Sequence, residues 1–325
     1  METNRKMKAV ILAAGESKRM KSATSKIVHK ILGKEIINFT LDAVVQAGIS
    51  EEDIIVVAGA NRKQLESAVD RQVVYVEQRE RLGTAHALLM AYDTLKGCEC
   101  DTLVLVGDNP YITTDEIKNL IQFHRQKGAE ASLITAQFPD MPPAYGRILR
   151  NADDAVMGIV EEIDASEAER QIREVNSSIY LFKNEVVLDL LKLIGNDNRK
   201  GEYYLTDIVA ILNNRGLRVD GIKASDYRVA IGINDRWDLQ QAIRHFNQLR
   251  LKSFSVETGV TFIDPNSTFV EYDVQIGKDT TVYPSTYIGK GSRIGSNCQV
   301  GPFTYLKNAT IADETVIEYQ QIVGK

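Results

Sequence analysis

Three charged residues frame the chemistry open to this chain. Arg19 and Lys26 follow the small-residue run Leu12-Ala13-Ala14-Gly15, and Asp108 stands in Val106-Gly107-Asp108-Asn109-Pro110. Small residues let backbone amides come close to a nucleotide's base and phosphates. A guanidinium and an ammonium then supply positive charge for a triphosphate. A carboxylate at the end of an apolar run can hold Mg²⁺ against phosphate oxygens. The spacing is not a Walker A loop, which ends in Gly-Lys-Ser/Thr, nor the Gly-x-Gly-x-x-Gly dinucleotide fingerprint. The plainer alternative is a strand turn with two solvated basic residues, and an acidic turn residue near a proline. His29, His86, His124 and His245 show no triad or metal spacing, and no serine nucleophile elbow occurs. Cys98, Cys100 and Cys298 are an odd set with one tight pair. They suit neither a disulfide framework nor a zinc site, and free thiols in a reducing compartment are the expectation.

These residues need a scaffold that brings them together. From Met7 to about Leu251, short apolar runs alternate with amphipathic ones. Ala9–Ala14, Asp53–Ala58, Val73–Val76 and Thr102–Val106 read as strands. Ile36–Ala47 reads as a helix stopped by Gly48, and about Thr84–Leu95 and Asp235–Leu251 as further helices. Such alternation predicts an α/β domain, Rossmann-like, with a mostly parallel sheet between helices. Ligands in these sheets bind beyond the carboxyl ends of the strands. The loops after Ala14 and Val106 are where that rule points.

After about Lys252 the texture changes. Apolar residues recur every six positions at Ile276, Val282, Ile288, Ile294, Val300 and Leu306, then at Ile311, Ile317 and Ile322. A period of six marks a hexapeptide β-helix, whose turns must stack to bury a core. About three to four coils are expected, with Pro284 and Pro302 at turns. The predicted domains are 1–252 and 253–325. An open last coil at Lys325 would expose sheet edges unless covered.

Composition narrows the class. With 44% apolar and 26% charged residues and 7 prolines in 325, the chain fits a globular protein with a sizeable core, not a disordered or fibrous one. A net charge of −5 argues against nucleic-acid binding, whose footprint is basic. No stretch approaches eighteen apolar residues, and the N-terminus lacks a signal-peptide pattern, so no membrane span and a cytoplasmic place are expected.

The opening motif, Leu12 to Met20 with Lys26, resembles the signature of sugar nucleotidyltransferases. Molybdenum-cofactor guanylyltransferases and the cytidylyltransferases of isoprenoid synthesis share it. Ser25 stands where that pattern has proline. The segment Glu77-Gln78-Arg79-Glu80-Arg81-Leu82-Gly83-Thr84-Ala85-His86-Ala87 resembles the uracil-reading segment of the bacterial N-acetylglucosamine-1-phosphate uridyltransferases, the GlmU family. Tyr145-Gly146-Arg147-Ile148, Ile159-Val160-Glu161-Glu162, Glu174-Val175-Asn176-Ser177-Ser178 and Gly201 to Ile208 match that family in order.

The resemblance implies a GT-A-like nucleotidyltransferase domain followed by a short left-handed parallel β-helix. It implies Arg19 and Lys26 as catalytic residues. Leu12, Ala13, Ala14, Gly15, Gln78, Gly83, Thr84, Gly107 and Asp108 would bind the nucleotide. Gly146, Glu161, Asn176 and Asn234 would bind the sugar, and Asp108 and Asn234 would bind Mg²⁺. A Gln amide donates and accepts at once, which suits uracil's mixed edge. Thr84 also reads as a helix cap. The implied substrates are UTP and N-acetylglucosamine 1-phosphate, and the implied assembly is a trimer through the β-helix. The family's longer β-helix carries an acetyltransferase site; this chain reaches only its first coils, so no coenzyme A chemistry is expected. Three departures bear on the sugar: Glu162 for Gln or His, the unusual Ile163, and Ser177-Ser178 for Thr-Gly. They keep another sugar 1-phosphate, or dTTP, open. A non-catalytic binding subunit is the remaining alternative, opposed by the retained Arg19, Lys26, Asp108 and Asn234.

Overall fold

The apolar runs form the strands their pattern predicts. The computed structural model describes residues 5–324, leaving Lys325 outside them. β1 is Lys6–Leu12, β2 Ile54–Ala58, β3 Val74–Glu77 and β4 Cys100–Val106. β1 starts earlier than its apolar run because Lys6, Met7 and Lys8 already pair with Cys100, Asp101 and Thr102. Further along come β5 (Ala131–Gln137), β6 (Arg147–Arg150), β7 (Val156–Val160), β8 (Glu174–Lys183) and β9 (Val219–Lys223). The sheet order is β9-β5-β8-β4-β1-β2-β3, with β6 bridging β8 and β7. Neighbours on the seven-strand path run parallel except β8, which is antiparallel to β4 and β5; off that path β6 is antiparallel to both β8 and β7. The sheet is therefore mixed, with one reversed strand inside a parallel frame.

Helices cover the sheet. α1 (Ile36–Gln46) buries nearly a whole face, ends at Gly48, and packs with β1 and β2 residues in one core. α3 (Thr114–Lys127) is capped by Thr113, whose hydroxyl accepts from the Glu116 amide. It ends at Gly128 with φ +62, the left-handed position that glycine fills without strain. The helix expected over residues 84–95 is instead two pieces, α2 (Thr84–Leu89) and Tyr92–Leu95. The amides of Met90 and Ala91 bond three residues back, to Ala87 and Leu88, and that tightening breaks the helix. Beside it, Cys98 and Cys100 form a disulfide rather than the free thiols expected; Cys298 is free and buried.

The chain forms two compact units: residues 1–28 with 36–233, and residues 29–35 with 234–325. This division falls earlier than the texture change near residue 252. α5 (Arg236–Ser253) groups with the β-helix because Asn247 is buried against its first coil. Its Nδ2 donates to the Thr268 carbonyl at 2.7 Å and its Oδ1 accepts from the Val270 amide at 3.2 Å. The hairpin at 30–35 joins the same unit: the Tyr272 amide donates to the Leu32 carbonyl at 3.1 Å.

The β-helix has three parallel sheets, of four, four and three strands among the described residues. Thr281 pairs with Gln299, Tyr287 with Tyr305 and Gln275 with Arg293, so these turns take eighteen residues, or three hexapeptides; the last ones are shorter, with Arg293 on Thr310 and Tyr305 on Gln321. Ile276, Val282, Ile288, Ile294, Val300 and Leu306 all point inward and are buried. A second inward row was not read from the sequence. Thr280, Thr286, Ser292, Cys298 and Thr304, each four residues after an apolar knob, are also buried. At most of these corners a backbone group is in reach, as where Thr280 Oγ1 donates to the Gly295 carbonyl at 2.8 Å; Thr286 Oγ1 is buried without a partner.

Candidate active site

The site is built where β1 and β4 end side by side. The Ala13 amide donates to the Val57 carbonyl, and the Gly107 amide to the Leu12 carbonyl, both at 2.9 Å. These bonds splay the two following loops open and leave Ala13, Ala14 and Gly15 lining a cavity of about 400 Å³. Asn61 Nδ2 donates to the Ala13 carbonyl at 2.9 Å and to Ser25 Oγ at 3.1 Å. The Ser25 amide donates to Gln64 Oε1 at 2.7 Å, and the Lys26 amide to Ser17 Oγ at 2.7 Å. Side-chain bonds thus fix the loop at Ser25, in place of the rigidity a proline would give.

Lys26 and Asp108 both line this cavity, and Lys26 Nζ donates to Asp108 Oδ2. The backbone holds Asp108 in turn, since the Ile233 amide donates to its carbonyl at 2.9 Å. A Cβ on Gly232 would come within 3.2 Å of its carboxylate, so the glycine lets the chain pass close. Among the described residues no group of three or more His, Cys, Asp or Glu could hold a metal. One carboxylate facing a cavity sized for a polyphosphate still fits Mg²⁺, which takes few protein ligands and keeps phosphate oxygens and water. Asn234, the other ligand the resemblance implies, is the first residue of the second unit; its amide donates to Asp238 Oδ2 at 2.9 Å. Arg19 is exposed on the 3₁₀ turn Lys18–Met20 and lines neither cavity.

Gln78 is buried in the same cavity. Its Nε2 donates to the Gly83 carbonyl at 3.1 Å and lies 3.0 Å from His86 Nδ1. The NH₂ end of the amide is thus anchored by the protein itself. Gly83 has φ +116, and a Cβ there would lie 2.4 Å from the Tyr203 carbonyl oxygen. Glycine is required on both counts. Gly83, not Thr84, takes the cap position of α2. The Thr84 hydroxyl instead accepts from the Leu205 amide at 2.9 Å, while the Ala85 amide donates to the Tyr203 carbonyl at 2.9 Å. These bonds stitch the 201–206 segment to the 78–85 segment. That explains why two stretches far apart in sequence carry matching motifs.

A second cavity, of about 200 Å³, shares Leu12, Thr84, Val106 and Glu202 with the first. Glu161, Asn176, Ser178, Tyr180, Lys200, Tyr204 and Thr206 line it. Asn176 sits at a bulge of β8, where the register against β5 shifts between Asn176 and Tyr180. Bulges re-aim side chains, here into the cavity. Asn176 is held at both ends: Nδ2 donates to the Tyr180 hydroxyl at 2.7 Å, and Oδ1 accepts from the Ser178 amide at 3.1 Å. Ser178 adopts φ +61, a left-handed conformation that glycine takes more readily. Gly146 presses on the wall: a Cβ there would meet Ile159 Cγ2 at 2.9 Å and Glu161 Oε1 at 3.4 Å. Glu161 accepts from Thr206 Oγ1 at 3.2 Å. Burial pushes the Glu161 carboxyl above the usual carboxylate range, against the Thr206 hydrogen bond and the Lys200 charge. Burial, helped by Asp164, does the same to Asp207, and burial carries the Tyr204 phenol up to about 12. Glu162 faces Arg170 and Ile163 is exposed, and neither lines a cavity.

Reasoning from the sequence missed Arg81, Tyr180, Lys200, Glu202, Tyr204 and Thr206 as lining residues. The signal was present for four of them, inside the Gln78–Thr84 and Gly201–Ile208 motifs. Nothing local marked Tyr180 or Lys200.

Residues 8–238 match the nucleotidyl transferase family model, and residues 273–308 match the bacterial transferase hexapeptide (six repeats) model. The chain is 43% identical over 310 residues to the Bifunctional protein GlmU of Acetivibrio thermocellus, covering 95% of this chain and 66% of that protein. Against the protein of the same name from Halalkalibacterium halodurans it is 40% identical over 310 residues, covering 95% and 67%. Against that from Brevibacillus brevis it is 38% identical over 318 residues, covering 98% and 68%. The chain spans about two thirds of the length of these relatives. With a catalytic-type cavity at the strand ends, a hexapeptide-repeat β-helix and relatives aligned along nearly its whole length, the chain belongs to the nucleotidyl transferase family and groups within it with the GlmU proteins.

Proposed function

We propose that this protein joins UTP to a sugar 1-phosphate, N-acetylglucosamine 1-phosphate first among them, forming UDP-sugar and pyrophosphate. The observation that carries this reading is the pair of cavities meeting at Leu12, Thr84, Val106 and Glu202. One is lined by a small-residue loop, a lysine and a carboxylate; the other by amide, carboxylate and hydroxyl side chains, the usual readers of sugar hydroxyls. Two substrates held in adjoining cavities can react directly, without a protein nucleophile.

In this reading the anchored amide of Gln78 turns Oε1 toward the N3–H of uracil. Cytosine has an acceptor at that place, so the site selects uracil or thymine. An oxygen of the sugar phosphate attacks the α-phosphorus of UTP, and the bond to the bridging oxygen of pyrophosphate breaks. Lys26 neutralises charge that grows on the phosphates, with Arg19 assigned beside it on the resemblance. Bound Mg²⁺, for which Asp108 is the carboxylate ligand, would supply further charge neutralisation. Gly146, Glu161 and Asn176 seat the sugar. Ser178, left-handed and lining the second cavity, favours a second reading: the same reaction on a different sugar 1-phosphate. We also assign the hexapeptide repeats to self-association, with a trimer as the mass expected by light scattering.

The test is pyrophosphate release with Mg²⁺, UTP and a panel of sugar 1-phosphates. Preference for N-acetylglucosamine 1-phosphate supports the first reading, and preference for another sugar supports the second. No release with any sugar or nucleotide defeats both. Lys26→Ala should lower kcat by about 10²–10³-fold, as the loss of one electrostatic donor does. Near-normal turnover in that variant would remove Lys26 from the mechanism.

A further inference from the structure

Glu16 carries the wrong charge for its place. It follows Gly15 in the loop that lines the first cavity, and it lines that cavity itself, where a carboxylate repels a polyphosphate. Its two oxygens are taken by two cations. Oε1 accepts from Arg81 Nη1 at 3.0 Å, and Oε2 from Lys18 Nζ at 2.8 Å. Arg81 lines the same cavity and comes from a different segment, between Gln78 and Gly83. The side chains of Glu16, Arg81 and Lys18 are 46%, 40% and 80% exposed.

Magnitudes decide what this cluster can do. Ion pairs this exposed add little to stability, so the triad is no strut. A guanidinium on phosphate makes charge-assisted, often bidentate bonds that are stronger than such an exposed pair. A polyphosphate that enters the cavity therefore takes Arg81 and Lys18 from Glu16 with a net gain. We propose that Glu16 is an internal stand-in for phosphate. It holds the cavity-lining Arg81 on one oxygen and Lys18 on the other in the free protein, and the polyphosphate of the incoming nucleotide displaces it. Arg81 then becomes a phosphate ligand, a role separate from the reading of the base by its neighbours. This inference rests on the proposed reading of the first cavity as the nucleotide site.

The exchange predicts a non-additive pair of substitutions. Glu16→Gln frees both cations and should tighten UTP binding by about three- to tenfold in calorimetric titration. Arg81→Gln should weaken it by about tenfold. In the double variant the gain from Glu16→Gln should shrink to below about twofold, because the ligand it would release is gone. Inorganic tripolyphosphate should follow the same pattern, while uridine should bind all four proteins alike. Exposed substitutions of this kind leave stability nearly unchanged, which a thermal melt verifies. A full Glu16→Gln gain persisting in the Arg81→Gln background means simple repulsion and overturns the exchange. So does UTP binding that neither single substitution alters. A wild-type protein that binds no nucleoside triphosphate overturns the reading of the cavity as well.

Discussion

Glu161 shows how one residue can serve a site at the expense of the fold. Its carboxyl is held above the ordinary range chiefly by burial. The folded state therefore binds its proton more tightly than the unfolded chain does. The resulting stabilisation is complete below the unfolded pKa and is lost as pH rises through the raised folded value. At neutral pH the buried charge is a net cost, offset only in part by Thr206. Glu161→Gln should thus raise the urea midpoint at pH 7 to 8 and raise it less, or not at all, near pH 4. The same variant should bind a sugar 1-phosphate more weakly. A stability gain that does not depend on pH would show that the charge is not the cause. Residue chemistry of this kind was only half legible in the sequence. Gln78, Asp108 and Asn176 announce themselves by type and motif. The partners that orient them, Gly83 through its carbonyl, Ile233 through its amide and Tyr180 through its hydroxyl, are 5, 125 and 4 positions away and follow no spacing rule.

Among the elements, β8 does the most to shape the site. It is the one reversed strand on the seven-strand path, and its bulge delivers Asn176 and Ser178. Alternation of strands and helices foretells a parallel sheet and cannot flag a single reversed strand, because reversal changes direction without changing the apolar pattern. The strand is clamped at its start. Glu174 accepts from Thr135 Oγ1 of β5 at 2.6 Å and from two nitrogens of Arg150 of β6, at 3.0 and 2.6 Å. Burial pushes the Glu174 carboxyl up, yet the hydrogen bonds from Arg150 and Thr135 outweigh it and hold it below the usual range. Its contribution is therefore present above the unfolded pKa and lost as pH falls through the lowered folded one. Glu174→Gln removes the charge that Arg150 pairs with most closely, leaving its contacts to the Asp154 and Gly221 carbonyls, and should cost about 2 kcal/mol at pH 7. The cost should fade in acid. Equal losses at pH 7 and pH 3 in chemical denaturation would contradict the clamp. Because the bulge lies just beyond it, the affinity for sugar 1-phosphate should fall with it.

For the molecule as a whole, the six-residue period carried the β-helix into view, since every knob it marked from Ile276 to Leu306 is buried. The second row of small polar chains stayed hidden because Ser, Thr and Cys share size but not hydropathy. Nor did texture reveal that residues 29–35 and α5 belong to the β-helix unit, because compactness is set by contacts such as Asn247 with the first coil. The eighteen-residue turn makes a firm prediction. Removing residues 281–298 joins Thr280 to Gln299, which follows Thr280 in the same register as Thr281 does. That variant should keep one cooperative melt, with the core one layer shorter. Removing only 281–289 should abolish cooperative melting, since every later knob would rotate out of the core. If both deletions melt alike, stacking is not what holds this region together. The tail thus behaves like a ruler marked in whole coils. Substitutions can vary along it freely on the outside, while between Gln275 and Tyr305 its divisions are equal and a change of length is best made by one whole division.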